Sequence, residues 1–178
     1  NENAEFVFTN TKRPSFRLVK LDSFTGEGLG GATFRIAKIQ DGSHYLDRVT
    51  DANGEINIED LEPGVYSVQE TKAPEGYVID PTEYHVELFP GQVSELVVSN
   101  DRKPNLEIVK TDAVTGSPVA DVTFTVKKVD SSTLTTVKTD AEGKALIENL
   151  DPGVYEVWEQ SVPDNYLLND EHQLITLE

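Results

Sequence analysis

The stretch RPSFRLVKLDSFTG, Arg13 to Gly26, returns as KPNLEIVKTDAVTG, Lys103 to Gly116, a shift of 90 residues. In both copies an apolar residue occupies every second position, Phe16 and Leu18 in the first and Leu106 and Ile108 in the second, before a turn closed by glycine. A period of two is that of a β-strand with one buried face. The match continues outward from this strand. Phe34 answers Phe124, TDANG at Thr50 to Gly54 answers TDAEG at Thr139 to Gly143, and LEPGVYSVQE at Leu61 to Glu70 answers LDPGVYEVWE at Leu150 to Glu159. By then the shift is 89, so one residue is missing from the second copy between Ile39 and Thr50, where a loop tolerates the loss. A third, partial copy opens the chain: EFVFTNTKRP, Glu5 to Pro14, matches ELVVSNDRKP, Glu95 to Pro104.

An internal period of this kind divides the chain before any other signal does. Residues 1–11 read as the last strand of a preceding repeat and residues 12–101 as a complete unit. Residues 102–178 read as a second unit that stops before any counterpart of the ELVVSN strand. Short alternating runs (Phe34, Ile36; Ile56, Ile58; Tyr66, Val68; Leu96, Val98) are separated by Gly, Pro, Asn and Asp clusters, and no amphipathic helical period is present. About seven short strands in ~90 residues predict an all-β chain of tandem prealbumin-like or immunoglobulin-like antiparallel β-sandwiches. The junctions TNTKRPS and SNDRKPN are short and carry a proline, which favours abutting units over a flexible string.

Composition narrows the function. Fifteen Lys and Arg against 32 Asp and Glu give a net charge of −17, which repels phosphate backbones and anionic lipid, so nucleic-acid and membrane-surface roles are not expected. There is no cysteine, so neither a disulfide framework nor a thiolate metal site is available. The three histidines, His44, His85 and His172, are too widely spaced to read as ligand pairs, and no cofactor is expected. No run of ~18 apolar residues is long enough to cross a bilayer. A chain beginning Asn-Glu-Asn reads most simply as a piece of a longer precursor.

Three polar residues fall on apolar faces. Strand parity places Lys20 with Phe16 and Leu18, Glu70 with Tyr66 and Val68, and Asn100 with Leu96 and Val98; the second copy repeats the first two at Lys110 and Glu159. Singly, each has a plain reading as a snorkelling lysine, a solvated glutamate or a turn asparagine. Together they describe a buried ammonium, carboxyl and carboxamide, each costly alone and sensible only as a set. Burial favours the neutral forms of amine and acid, which are the forms a condensation needs. A neutral amine can attack the asparagine carbonyl carbon while the acid polarises the oxygen and relays protons, so that ammonia leaves and an isopeptide bond remains.

Lysine on the first strand, the motif YSVQETKAPEGY from Tyr66 to Tyr77, and an asparagine ending the last strand resemble the CnaB-type (SpaA-like) domains of Gram-positive cell-wall adhesins and pilins, where the glutamate motif is the E-box. The resemblance covers essentially the whole chain. It implies Lys20 as nucleophile, Glu70 as catalytic acid and proton shuttle, and Asn100 as acceptor, with Lys110 and Glu159 in the matching roles of the second unit. It further implies a stalk or pilus element on the bacterial cell wall, stiffened by single-turnover cross-links, with neighbouring repeats as partners and no turnover catalysis. The second box, VYEVWEQSVPDNY, carries Asp164 and Asn165 in place of Glu75 and Gly76 but keeps Glu159 and Tyr166.

Lys110 has no acceptor in its own unit. Asn10, which ends the run Phe6, Phe8, Asn10 as Asn100 ends Leu96, Val98, Asn100, is the spare one: either a leading strand of another copy completes the second unit head to tail, or both ends are simply boundaries of a piece of a longer array of repeats, the plainer reading. Other features weigh less. TDANG with Glu55, and Asp22 to Gly26, are oxygen-rich but are tight-turn sequences first, short of calcium-loop spacing. Asp41 to Asp47, the segment that differs between copies, is the candidate loop for a host or matrix ligand in an alternative reading as a binding module. A polysaccharide-binding sandwich would need a platform of aromatics, and Trp158 is the single tryptophan. Neither a sorting motif nor a YPK-like pilin motif is visible, which favours a repeat stalk.

Overall fold

The alternation around Lys20 forms β1, Ser15–Asp22, whose side chains switch regularly between part-exposed and buried along its length. The computed structural model describes residues 6–40 and 45–178, and these contain strands and turns but no helix. They fall into two units, Asn1–Asp101 and Arg102–Glu178.

In the first unit β1 is followed by β2 (Thr33–Lys38), β3 (Tyr45–Val49), β4 (Glu55–Ile58), β5 (Gly64–Lys72), β6 (Glu83–Leu88) and β7 (Val93–Asn100). One sheet has the order β4-β1-β7 and the facing one β3-β2-β5-β6. Phe16, Leu18, Phe34, Ile36, Ile56, Val68 and Val98 are buried between them as one cluster. Each of these residues holds an inward position of its strand, so burial follows directly from parity. One pairing departs from the antiparallel rule: β1 and β7 run parallel, with Lys20 opposite Val98 and Asp22 opposite Asn100. The chain reaches β7 by crossing over from β6 in the facing sheet, so no hairpin imposes an antiparallel partner on β1.

The second unit repeats the plan with β8 (Leu106–Val109), β9 (Thr123–Lys128), β10 (Leu134–Lys138), β11 (Lys144–Ile147), β12 (Gly153–Ser161) and β13 (Gln173–Leu177). Its sheets are β11-β8 and β10-β9-β12-β13. Among the described residues no strand lies along the edge of β8 that corresponds to the β7 side of β1. The buried apolar residues accordingly fall into two clusters rather than one, around Leu106, Val126, Tyr155 and Leu177 and around Val119, Val122 and Phe124.

The run read as the last strand of a preceding repeat is unpaired among the described residues. Residues 6–14 form no ladder, and Phe6 and Phe8 are 85% and 90% exposed. A strand is held by its neighbours, and among the described residues no strand pairs with this segment; Asn1 to Glu5 lie outside the described residues. Only its end is tied down, where Gly91 N donates to Lys12 O at 2.7 Å.

The repeated turn TDANG/TDAEG has a definite task. Gly54 adopts φ 81°, and a Cβ there would lie 2.3 Å from the backbone oxygen of Lys20; Gly143 has φ 72° and the same relation to Lys110 O at 2.4 Å. The turn therefore braces β1 and the end of β8 at the lysines, and Lys20 N donates to Gly54 O at 2.7 Å. Gly54→Ala is expected to destabilise the first unit by roughly 2 kcal/mol or more, since both the left-handed backbone and the close approach oppose it. Chemical denaturation of the Asn100→Ala background, free of any cross-link, measures that cost.

Candidate functional site

Lys20 is 0% exposed, Glu70 3% and Asn100 2%. Lys20 and Asn100 come from adjacent parallel strands of one sheet, and Glu70 comes from β5 in the facing sheet, opposite Phe34 of β2. The two sheets therefore close on the trio from both sides. Lys20 Nζ donates to Asn100 Oδ1. Asn100 Nδ2 donates to Glu70 Oε1 at 2.9 Å, and the same Oε1 is 3.4 Å from Lys20 Nζ. A single carboxylate oxygen thus borders both nitrogens, that of the amine and that of the carboxamide. The carboxamide oxygen faces the amine rather than Glu70, so this geometry suits Glu70 to proton relay more than to polarising the carbonyl.

The surroundings hold this arrangement. Burial pushes the Lys20 amine below its ordinary value, opposed by the charge and hydrogen bond of Glu70 and by the charge of Asp80. The ring of Phe34 lies 5.6 Å from Nζ. The other Glu70 oxygen, Oε2, accepts from Asp80 N at 2.7 Å, and Asp80 in turn accepts at Oδ2 from Tyr84 OH at 2.7 Å. Asp22, two residues beyond Lys20 and also buried, accepts from Tyr77 OH at 2.8 Å, tying the end of the E-box to β1. Val78 N donates to Asp101 O at 2.9 Å, securing the same segment to the end of β7.

Asp80, Tyr84 and Asp22 escaped the sequence reading. A faint signal existed for Asp22, which continues the parity of Phe16, Leu18 and Lys20 but also begins a turn. Its Oδ1 serves that turn, accepting from Phe24 N and Thr25 N at 2.8 and 2.9 Å; Asp51 Oδ1 likewise accepts from Asn53 N and Glu55 N, both at 2.9 Å. Asp80 carries no signal beyond its fixed distance from the glutamate, because Glu70 is held by its backbone N–H, which any residue but proline provides.

The second unit holds a partial copy. Lys110 Nζ is 2.6 Å from Glu159 Oε1, and Asn169 N donates to Glu159 Oε2 at 3.0 Å, as Asp80 N does to Glu70. Lys110 faces the buried Glu159 but is less covered than Lys20. It lies one residue past the end of β8, and its side chain is 26% exposed, because no strand covers this edge among the described residues. A groove of about 400 Å³ opens there, lined by Ile108, Lys110, Phe124, Val157 and Glu159 among others. Asn10 lies in the exposed leading segment.

The candidate ligand loop also changes. Asp41 to His44 lie outside the described residues, and Tyr45 to Asp47 belong to β3, with the Tyr45 ring covered by the Arg35 guanidinium 4.2 Å from its centroid. Trp158 stacks on His172 at 4.6 Å, and His172 Nδ1 is 2.9 Å from Glu156 Oε1, so one face of the tryptophan is occupied.

Residues 14–102 and 104–178 match the family described as SpaA, prealbumin-like fold domain. The chain belongs to this family. Each unit holds one SpaA-type domain, and the break between the two matched segments falls within a few residues of the boundary between Asp101 and Arg102. The chain is 27% identical over 162 residues to serine-aspartate repeat-containing protein D of Staphylococcus aureus (strain Newman), covering 79% of this chain and 12% of that protein. It is 26% identical over 179 residues to a collagen adhesin of Staphylococcus aureus, covering 93% of this chain and 15% of that one. The chain thus spans a small part of the length of these relatives. A solved structure of a variant shaft pilin SpaA from Lactobacillus rhamnosus GG superposes with a TM-score of 0.59 at 16% identity, covering 94% of each chain, and shares the fold.

Proposed function

We propose that this chain is a structural repeat of a Gram-positive cell-surface adhesin or pilus, displayed outside the cell on the wall, in which the first SpaA-type domain closes a covalent bond between Lys20 and Asn100. The observation that carries this reading is the convergence of a buried amine, carboxyl and carboxamide in an apolar core, with Glu70 Oε1 between the two nitrogens. The names of the relatives, an adhesin and a shaft pilin among them, agree with a surface role.

The chemistry follows from the contacts. Lys20 passes a proton to Glu70, and the freed amine adds to Cγ of Asn100. The Cγ–Nδ2 bond then breaks as that nitrogen takes up protons through Glu70. Ammonium plus carboxamide becomes secondary amide plus ammonium ion, with no other reactant. Each site reacts once and is consumed.

Intact mass under denaturing conditions tests this. The chain is expected about 17 Da, one ammonia, below its sequence mass, and the Asn100→Ala chain at its full value. An unmodified mass for the parent chain would overturn the cross-link.

The pH dependence has a definite sign. Because the amine passes its proton to Glu70 within the site, the reactive pair holds as many protons as the ammonium–carboxylate pair, so bond closure on first folding is expected to be flat in pH below the depressed value of Lys20 and to slow above it, where the proton needed by the leaving nitrogen is lost. In the unbonded Asn100→Ala chain the same depression acts on stability. The unfolded lysine binds a proton more tightly than the folded one, so stability rises with pH between the folded value and 10.5. Chain kept unfolded since its synthesis, then folded at several pH values and stopped for mass spectrometry, reads the first effect.

A further inference from the structure

Closure of the first-domain bond uses Lys20, Glu70 and Asn100 and leaves a second carboxylate beside them without a task. Asp80, in the connection between β5 and β6, donates its N–H to Glu70 Oε2 at 2.7 Å, while Oε1 of the same carboxylate borders Lys20 at 3.4 Å. The Asp80 side chain is itself held twice, Oδ1 accepting from Thr82 N at 2.9 Å and Oδ2 from Tyr84 OH at 2.7 Å. Burial opposes ionisation of Asp80, but the bonds from Thr82 and Tyr84 and the charge of Lys20 outweigh it and hold the carboxyl below its ordinary range. Asp80 is therefore an anion wherever the lysine can react. Its charge acts back on Lys20, where burial lowers the amine and Glu70, then Asp80, oppose that lowering.

The second domain separates what the backbone of this residue does from what its side chain does. At the positions of Asp80, Thr82 and Tyr84 it has Asn169, Glu171 and Gln173. Asn169 N still donates to Glu159 Oε2 at 3.0 Å, and Asn169 Oδ1 still accepts from Glu171 N at 3.0 Å. The hold on the glutamate thus needs neither the charge nor the phenol. In the first domain both are additional, and a part-buried anion carries a desolvation cost that holding Glu70 does not explain.

We propose that Asp80 is a positioning residue for the Lys20–Asn100 bond: its N–H orients Glu70, and its carboxylate, oriented by Tyr84, keeps the proton shared by Lys20 and Glu70 within the site. This rests on the bond proposed above. The nitrogen of Asn100 leaves with the proton passed through Glu70, so a site that has lost that proton cannot finish the reaction. A fixed negative charge nearby favours the pair with its proton over the pair without it. Around Lys20 the other ionisable groups are Glu70 from β5, Asp22 on its own strand, and Tyr77, which donates to Asp22. The facing residues of β2 and β7, Phe34 and Asn100, carry no charge.

The test is the rate of mass loss in the 178-residue chain, kept unfolded since its synthesis, folded at a series of pH values and stopped for intact mass. Asp80→Asn copies the second domain, keeping the N–H and removing the charge. It is expected to close the bond more slowly than the parent and to fall off at lower pH. Asp80→Glu keeps the charge and should return the fall-off toward the parent position. Tyr84→Phe should slow closure with a smaller displacement of the fall-off, since the charge remains and only its orientation is loosened. In the Asn100→Ala chain, where this bond cannot form, the Lys20 Cε resonance followed by NMR should titrate at lower pH once Asp80 is replaced by Asn. A merely structural Asp80 would slow closure by the same factor at every pH and leave the Lys20 titration in place. That result would overturn this inference and leave the bond standing, as would an unchanged rate and profile. A parent chain without the loss of about 17 Da would overturn the bond and this inference with it.

Discussion

Replacing Asn100 by Ala is expected to lower the stability of the first domain by roughly 4–5 kcal/mol, the loop-closure term for a cross-link spanning 80 residues, before any cost of the lost side-chain contacts. For a domain of this size that corresponds to a fall of roughly 15–40 °C in its melting temperature. The substitution keeps Lys20 beside Glu70, so the buried ammonium retains its counter-charge. Glu70→Gln is expected to cost more, since it blocks the bond and also leaves Lys20 unpaired in the core. Calorimetry separates the two domains as two transitions, and the second should not move in either variant, which provides an internal control. Equal melting temperatures for the parent and Asn100→Ala chains would mean that no cross-link stabilises the first domain, whatever its mass.

The second large effect is mechanical. Force applied through the ends of the first domain enters at β1 and leaves from β7, and a bond from Lys20 to Asn100 joins those strands directly. The segment between them, which spans 80 positions, is then shielded from load. In single-molecule pulling, the parent chain is expected to lack an extension of roughly 260–290 Å, the fully stretched length of that segment, and the Asn100→Ala chain to show it. A full-length extension in the parent chain would remove the mechanical argument. Without the bond, the β1–β7 ladder carries the load through backbone hydrogen bonds and through Arg17, which pairs with Glu55 on β4 and Glu95 on β7. Those exposed ion pairs contribute little on their own, on the order of 0–1 kcal/mol.

Parity was enough to turn Lys20, Glu70 and Asn100 toward the core, because side-chain direction in a strand is fixed by counting residues. For Lys110 it gave the direction, toward Glu159, but not the burial. The same count applies there, but the lysine lies past the end of β8 and stays part-exposed, since burial also needs a strand on the open edge. The leading segment makes the same point: Phe6, Phe8 and Asn10 have the pattern of a strand, and among the described residues no neighbouring strand pairs with them, so they form no ladder. Asp80 was invisible because its contribution to Glu70 is a backbone N–H, and Tyr84 because its partner Asp80 was itself unrecognised.

The sequence by itself determined the two-fold repeat, the all-β class, the inward face of each strand and the tight turns at TDANG and TDAEG. All of these depend on local periods and on the conformations single residues permit. Only the tertiary structure decided that β1 and β7 run side by side in parallel, that Glu70 approaches from the opposite sheet, and that one of its oxygens lies between the amine and the carboxamide. Those relations join residues 30 to 80 positions apart, and they arise from how two sheets stack, which no local period encodes.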